Sequence, residues 1–378
     1  MASSNNDEII SKASPHTIKK FELIEAYITT WAQKLMNNES CNGIIFIDCM
    51  CNSGLYHDEN GEMVYGTPLR VAKVLRDVAG QYPLKQVYLY FNDFNQDKIN
   101  VLKQNLPAEK NNFHFNISVG DGNVLLKCMG AKLDPDSHLH YFLLYDPYDA
   151  SIDWEALAPF FRYWGEVMIN HMVSDPVRAI TQVKKNDTKK KYESTYLTDF
   201  GELVPFGSDK DAYQKRVEKI INALKGKRRY FVAAFPFYNT QNSQMYNLIH
   251  CTSNIKGYQL YKKAAWKTFD DHSSTKTVKE SGQLELDMFL GGVKQHTDEN
   301  CYNVSDIVYY IQKTFAGQQD ILLDEIWAAL DLHPIFPSDG YKPNIKKELK
   351  STYGAVEGKK LDPYTGKNKS VMSFRKGF

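Results

Sequence analysis

Two rhythms of apolar and polar positions run through the first 270 residues, and the points where they switch lay out the elements. From residue 17 to about 35, Phe21, Leu23, Ile24, Tyr27, Ile28 and Trp31 recur at helical spacing, which predicts an amphipathic helix. Apolar runs at 44–48, 86–92, 113–119, 140–145 and 166–170 are short and bounded by turn formers, as strands are. Helical patterns at 67–79, 96–105 and 154–163 separate them. Thr67 and Pro68 supply an N-cap and a first helical residue, and Pro107 stops the next helix. Residues 49–66, with Gly54, Gly61 and Gly66, read as a long loop. Strands alternating with helices predict an α/β chain built on a doubly wound sheet. Two more runs, 229–237 and 245–252, flank the turn formers at 239–243. They predict an antiparallel hairpin at the sheet edge, followed by a helix over 260–269.

The pattern weakens in two places. Residues 181–229 are lysine-rich and read as a basic insertion with a helix near 210–225, and 270–300 read as a polar linker. Beyond it, helical patterns at 304–315, 324–330 and 341–353 are followed by short runs at 354–356 and 370–374 around the turn 362–366. Three helices and a two-stranded wing spell a winged helix. The expected organisation is a tail and helix over 1–43, an α/β domain over 44–269, the linker, and a winged helix over 301–378. No internal repeat is visible.

Composition narrows the function. With 378 residues, 43% of them hydrophobic and 13% aromatic, the chain has material for two or three domains and does not read as a disordered scaffold. A net charge of +1 excludes nucleic-acid binding by the molecule's overall charge, so any basic face is local. No stretch approaches the roughly 18–20 apolar residues that span a bilayer. The N-terminus is polar and acidic, unlike a secretory signal. Six cysteines without a C-x-x-C pair fit reduced thiols in a cytoplasmic protein. Neither Cys49-x-Cys51 nor His138-x-His140 has the partners a metal site needs, so no metal is expected. Trp31, Trp154, Trp164 and Trp266 read as core.

Chemistry gathers at strand ends. Asp48 closes the first strand, Asp93 the second, and Asp146-Pro147-Tyr148 the fourth, while Gly120-Asp121-Gly122-Asn123 follows the third. In a parallel α/β sheet ligands bind beyond the carboxyl ends of the strands, so acids at these ends point to a nucleoside-bearing cofactor. A carboxylate such as Asp93 accepts hydrogen bonds from both hydroxyls of a ribose; the plain alternative is a solvated acid or a helix cap. Asp48 either caps its own loop or meets the far end of the cofactor. Gly122 favours a tight turn.

These motifs together resemble the three-Cys-motif partner proteins, a group similar to class I S-adenosylmethionine-dependent methyltransferases with a Rossmann-like sheet. The resemblance covers most of the chain. It rests on the helix before the first strand, on Asp48 to Gly54, on Gly66-Thr67-Pro68-Leu69 where the family tends to have Gly-Ser-Pro-Leu, and on Asp146-Pro147-Tyr148. It continues through Tyr246-Asn247-Leu248-Ile249, Asn254-Ile255-Lys256-Gly257 and Ala265-Trp266-Lys267. The resemblance implies S-adenosylmethionine as cofactor, held by Asp48, Cys51, Ser53, Gly54, Asp93, Asp121 and Gly122, with Asp121 at the adenine amino group. It implies Asp146, Pro147 and Tyr148 as the catalytic set, the acid and a carbonyl holding a target amine while the ring stacks on the base; the alternative is a strand end shaped by proline with Tyr148 as packing. The chain departs from the family's Asp-x-Phe-Ala-Gly-x-Gly, carrying Cys51 for alanine and Asn52 for glycine. Asn52 can adopt the left-handed conformation that glycine favours. The family name also implies a partner with a three-cysteine iron–sulfur-type motif.

The last segment carries its own signal. From Lys342 to the end, ten Lys and Arg face three Asp and Glu, a local charge of +7. Lys342, Lys346 and Lys350 share one helical face and Lys347 adjoins it. In a winged helix such a face contacts nucleic acid, and lysines favour phosphates over bases; the alternative is a solvated surface. The reading that follows is a methyltransferase-like protein acting on or near nucleic acid. Its rival is a non-catalytic module that uses the sheet as a scaffold for nucleic acid or the partner protein.

Overall fold

The structure is a computed structural model and describes residues 8–149, 151–162, 164–172, 186–197, 218–222, 230–277 and 301–376. The chain forms two compact units, one ending at Tyr261 and the other beginning at Lys262. No described helix is long and apolar enough to cross a membrane.

The first unit opens with β1 (Ser11–Lys12) and α1 (Pro15–Met36). The α1 stripe of Leu23, Ile24, Tyr27, Ile28 and Trp31 is buried, and Tyr27 and Trp31 pack against Phe142 of the central sheet. That sheet comprises β2 (Gly43–Asp48), β5 (Gln86–Asp93), β6 (Phe113–Val119), β7 (Leu139–Tyr145), β8 (Gly165–Met172), β9 (Phe231–Tyr238) and β10 (Gln244–Thr252). Its order is β6-β5-β2-β7-β8-β10-β9. The first five strands are parallel, and β10 runs antiparallel between β8 and β9. This is the expected doubly wound, mostly parallel sheet with an edge hairpin. Strand side chains alternate between faces: Phe46 and Phe142 turn towards α1, while Ile47, Tyr141, Leu143 and Tyr145 join the core of the other face.

The connections refine the expected elements. Residues 49–66 are not all loop, because β3 (Leu55–His57) and β4 (Met63–Tyr65) form a small sheet with β1. In α2 (Thr67–Gln81), Thr67 is already helical and Gly66 is the cap residue. The helix α3 (Gln96–Asn105) starts where expected, capped by the Asn95 side chain. A helix absent from the sequence reading, α4 (Gly122–Gly130), follows β6. The helix α5 (Trp154–Leu157) is short and runs into a 3-10 turn at Ala158–Phe160. His138 precedes β7 in a left-handed conformation, φ 54°, and so lies outside the strand. Within 181–229 the described parts include α6 (Asn186–Tyr196) and the helical residues 218–222; the rest of that segment, and 278–300 of the expected linker, lie outside the described residues.

From Lys262 onward the second unit begins with the last turns of α7 (Ile255–Thr268). It continues with α8 (Val304–Phe315), β11 (Ile321–Leu322), α9 (Leu323–Leu332), α10 (Lys342–Tyr353), β12 (Val356–Leu361) and β13 (Asn368–Ser373). Asn303 and Asp306 close a capping box at the start of α8. The three strands pair antiparallel in the order β11-β13-β12. Trp266, Ile307, Ile311, Ile326, Ile345 and Met372 are among its fully buried side chains.

Candidate functional site

The strand order reverses at β2, with β5 on one side and β7 on the other. Such a switch point leaves a crevice beyond the carboxyl ends. Register sets Asp48 opposite Phe91 and Leu144, so Asp93 and Asp146 stand two residues further out on the flanking strands.

Asp48 is buried, and its Oδ1 accepts the N–H of Met50 at 3.2 Å. Burial first, then the charge of Asp146, push its carboxyl up to about 8; Asp93 adds to the rise, while the Met50 N–H and Lys20 oppose it. The chain then folds back across the tip of β5. Cys51 donates its N–H to the Asn92 carbonyl at 2.9 Å, and Asn52 donates its N–H to Asp93 Oδ2 at 3.0 Å. Asn52 takes φ 60° and Gly54 φ 73°, so the turn forms with asparagine in the glycine's place. A Cβ on Gly54 would lie 2.9 Å from Leu69 and 3.0 Å from Leu102. Ser53 is buried, its hydroxyl donating to the Leu55 carbonyl at 3.1 Å. Burial, then Asp48 and Asp93, hold the Cys51 thiol well above its usual range, which keeps it protonated and unreactive.

Asp93 is buried and well used. Its Oδ2 accepts the Asn52 N–H and, at 2.5 Å, the Tyr148 hydroxyl, while Oδ1 accepts the Asn95 N–H at 2.9 Å. The next residue, Phe94, is 57% exposed and meets the half-exposed Tyr148 edge to face, with ring centres 5.0 Å apart. The Lys98 ammonium lies 5.5 Å from the Tyr148 ring centre.

Asp121 is exposed and caps α4, its Oδ1 accepting the Val124 N–H at 3.0 Å. Gly122 is the first residue of that helix rather than part of a tight turn. A Cβ there would come 2.6 Å from the Cys49 carbonyl, so glycine lets α4 approach the loop after β2. Asp146 has both oxygens engaged: Oδ2 accepts from Lys20 Nζ at 2.7 Å and Oδ1 from Asn170 Nδ2 at 2.6 Å. Pro147 is buried, and Tyr148 turns towards Asp93. The carboxyls that converge are therefore Asp48, Asp93 and Asp146, with the 51–54 turn among them, while Asp121 serves as a helix cap.

Four side chains at this edge escaped the sequence reading. Lys20 is buried on the apolar stripe of α1, at helical spacing from Ile24, Tyr27 and Trp31; a charge on such a stripe was a readable signal. Phe94 follows Asp93 directly. Tyr56 is half-buried on β3, its phenol pushed up by burial and then by the charges of Asp146 and Asp48. Nothing local marks Asn170.

In the second unit, Leu323, Trp327 and Pro343 floor an open groove of about 790 Å³ rimmed by Lys342, Lys346, Lys347 and Lys350. Lys342 Nζ lies 5.5 Å from the Trp327 ring centre. Lys346 and Lys350 both pair with Glu357 of β12, and they hold its carboxyl below the usual range.

No family model matches the chain, and the curated proteins yield no match. Among solved structures it is similar to Trm1 from Pyrococcus horikoshii in complex with S-adenosyl-L-methionine, at 12% identity over 97% of this chain and 93% of that one, with a TM-score of 0.39. It is also similar to protein LPL1258 from Legionella pneumophila, of family DUF519, at 11% identity over 66% and 91% of the two chains and a TM-score of 0.41. A third is a putative O-methyltransferase from Klebsiella pneumoniae, at 13% identity over 64% and 91%, with a TM-score of 0.34.

Proposed function

We propose that this protein is an S-adenosylmethionine-dependent methyltransferase-like protein that acts on or near nucleic acid. The observation that carries the reading is the convergence of Asp48, Asp93 and Asp146 at the switch point, with a left-handed turn threaded among them. S-adenosylmethionine carries a ribose diol, a sulfonium and an ammonium, and buried carboxyls suit all three. Asp93 takes the ribose, in place of the Tyr148 hydroxyl it now accepts. The exposed Phe94 and Val124 offer apolar surface for an adenine between the tips of β5 and β6. Asp48 and Asp146 face the charged end. The cofactor would supply an activated methyl group; the chain's part is to orient it and to place an acceptor in line, which is mostly positioning.

Pro147 and Tyr148 remain on the acceptor side in this proposal while Asp146 turns to the cofactor, and Tyr148 is freed for an acceptor ring once a ribose replaces it on Asp93. The second unit, with a helix, a short strand, two helices and a β12–β13 wing, is read as a winged helix whose lysine-rimmed groove meets phosphates. The resemblance to three-Cys-motif partner proteins adds a protein partner to this proposal.

Thermal unfolding with and without S-adenosylhomocysteine tests the reading. Ligand at about 100 times Kd should stabilise the protein by a few kcal/mol. An unshifted melting temperature at millimolar ligand favours the scaffold alternative.

A further inference from the structure

Beside the strand tips, Lys20 is a buried cation to which the acids' proposed roles give no part. Lys20 is 8% exposed on the α1 stripe, with its ammonium 2.7 Å from Asp146 Oδ2. The Tyr246 and Phe21 ring centres lie 5.4 and 5.9 Å from that ammonium. An ammonium at this depth is costly unless paired, and Asp146 is its ionic partner. The Asp146 side chain remains 26% exposed, so the pair is open from the acid's side. The pair is also coupled to the crevice, because the Lys20 charge acts on Asp48.

The amino-acid end of S-adenosylmethionine is a zwitterion, one ammonium and one carboxylate on the same carbon. A fixed Lys–Asp pair is its complement: the lysine suits the carboxylate and the aspartate suits the ammonium. We propose that Lys20 anchors the carboxylate of the cofactor's amino-acid end, and that binding exchanges the internal Lys20–Asp146 pair for two ligand pairs. In the exchange the ligand carboxylate pairs with Lys20 and the ligand ammonium pairs with Asp146. Every charge stays matched, so neither buried ion is stranded. Asn170 keeps its 2.6 Å hydrogen bond to Asp146 Oδ1 and holds the acid in place while its partner changes. The inference rests on the cofactor reading above and assigns the part of the ligand that the three acids alone leave unmatched.

Calorimetry with two ligands tests it: S-adenosylhomocysteine, and its decarboxylated analogue, which keeps the adenosine, thioether and amine. Wild-type protein is expected to bind the analogue about 10- to 100-fold more weakly, the loss of one charge-assisted pair. Lys20→Gln is expected to weaken S-adenosylhomocysteine by a similar factor. It should leave the analogue within about threefold, since residue and carboxylate are two halves of one interaction. Equal wild-type affinity for the two ligands overturns the inference without any variant. Equal weakening of both by Lys20→Gln also overturns it, making Lys20 a staple between α1 and the tip of β7. If wild-type protein binds neither ligand, the cofactor reading falls and takes this inference with it.

Discussion

Individual side chains set the chemistry at the strand tips, and two acids make opposite demands. Asp93 accepts three donors: two backbone N–H groups fix its position, and the Tyr148 hydroxyl holds the place proposed for a ribose. Asp93→Ala is expected to weaken S-adenosylhomocysteine by about 10- to 100-fold, from the roughly 1.5–3 kcal/mol of a charge-assisted bond. Unchanged affinity in a calorimeter would reject the ribose assignment. Tyr148→Phe removes the hydroxyl that competes for Asp93 Oδ2 and is expected to tighten the same ligand several-fold; a weaker complex would mean that the phenol itself contacts the ligand. Asp48 is held up to about 8 by burial and Asp146, against about 3.9 in an unfolded chain. Between those values the native state binds the extra proton, so stability falls as pH rises from about 4 to about 8. Asp48→Asn mimics the protonated acid and should remove that decline, gaining on the order of a few kcal/mol at pH 9 and little at about pH 4. Denaturant titrations of both proteins across this range measure the difference. The acids were readable because a carboxylate at the end of an apolar run has few structural reasons to be there. Asn170 was not, since its meaning comes from a partner 24 positions away.

Helices and strands differ in how much of their reason lies in local sequence. The α3 and α8 helices carry a capping asparagine and a clean apolar period, and they were legible nearly to the residue. The α4 helix was not, because Gly120-Asp121-Gly122-Asn123 is written in turn residues and the cap it conceals shows only in the Asp121–Val124 bond. The strands β3 and β4 are three residues each, too short for alternation to register, and they exist through pairing with each other and with the distant β1. The end of α9 also depends on distant sequence. Lys262 Nζ lies 2.8–3.0 Å from the carbonyls of Leu330, Asp331, His333 and Phe336, its N–H groups shared among the four, and so gathers the helix end and the turn after it. Lys262→Met keeps the buried stem but withdraws the donor from several carbonyls at once. It is expected to cost about 2–4 kcal/mol, read as a lower denaturant midpoint at an unchanged slope. A loss below about 0.5 kcal/mol would show that the carbonyls find other partners.

The charge of the molecule taken together hides its distribution, since a chain of net charge +1 keeps +7 from Lys342 onward. What that segment can offer a polyanion depends on which lysines are already engaged. Lys346 and Lys350 are held by Glu357, whereas Lys347 is exposed and Lys342 lies over the Trp327 ring. Glu357 therefore competes from within for the phosphates that the groove is proposed to meet. Glu357→Gln keeps the side chain's shape and releases both ammonium groups. Duplex affinity at low salt is expected to rise about three- to tenfold, and the slope of log K against log salt should steepen by about 1–2, near 0.9 for each added phosphate contact. Lys347→Gln should flatten that slope by about 1 without altering sequence preference. Anisotropy titrations of a labelled duplex at about 50 to 200 mM salt separate these outcomes. If Glu357→Gln changes neither affinity nor slope, the lysine face is a solvated surface and nucleic acid is bound elsewhere or not at all.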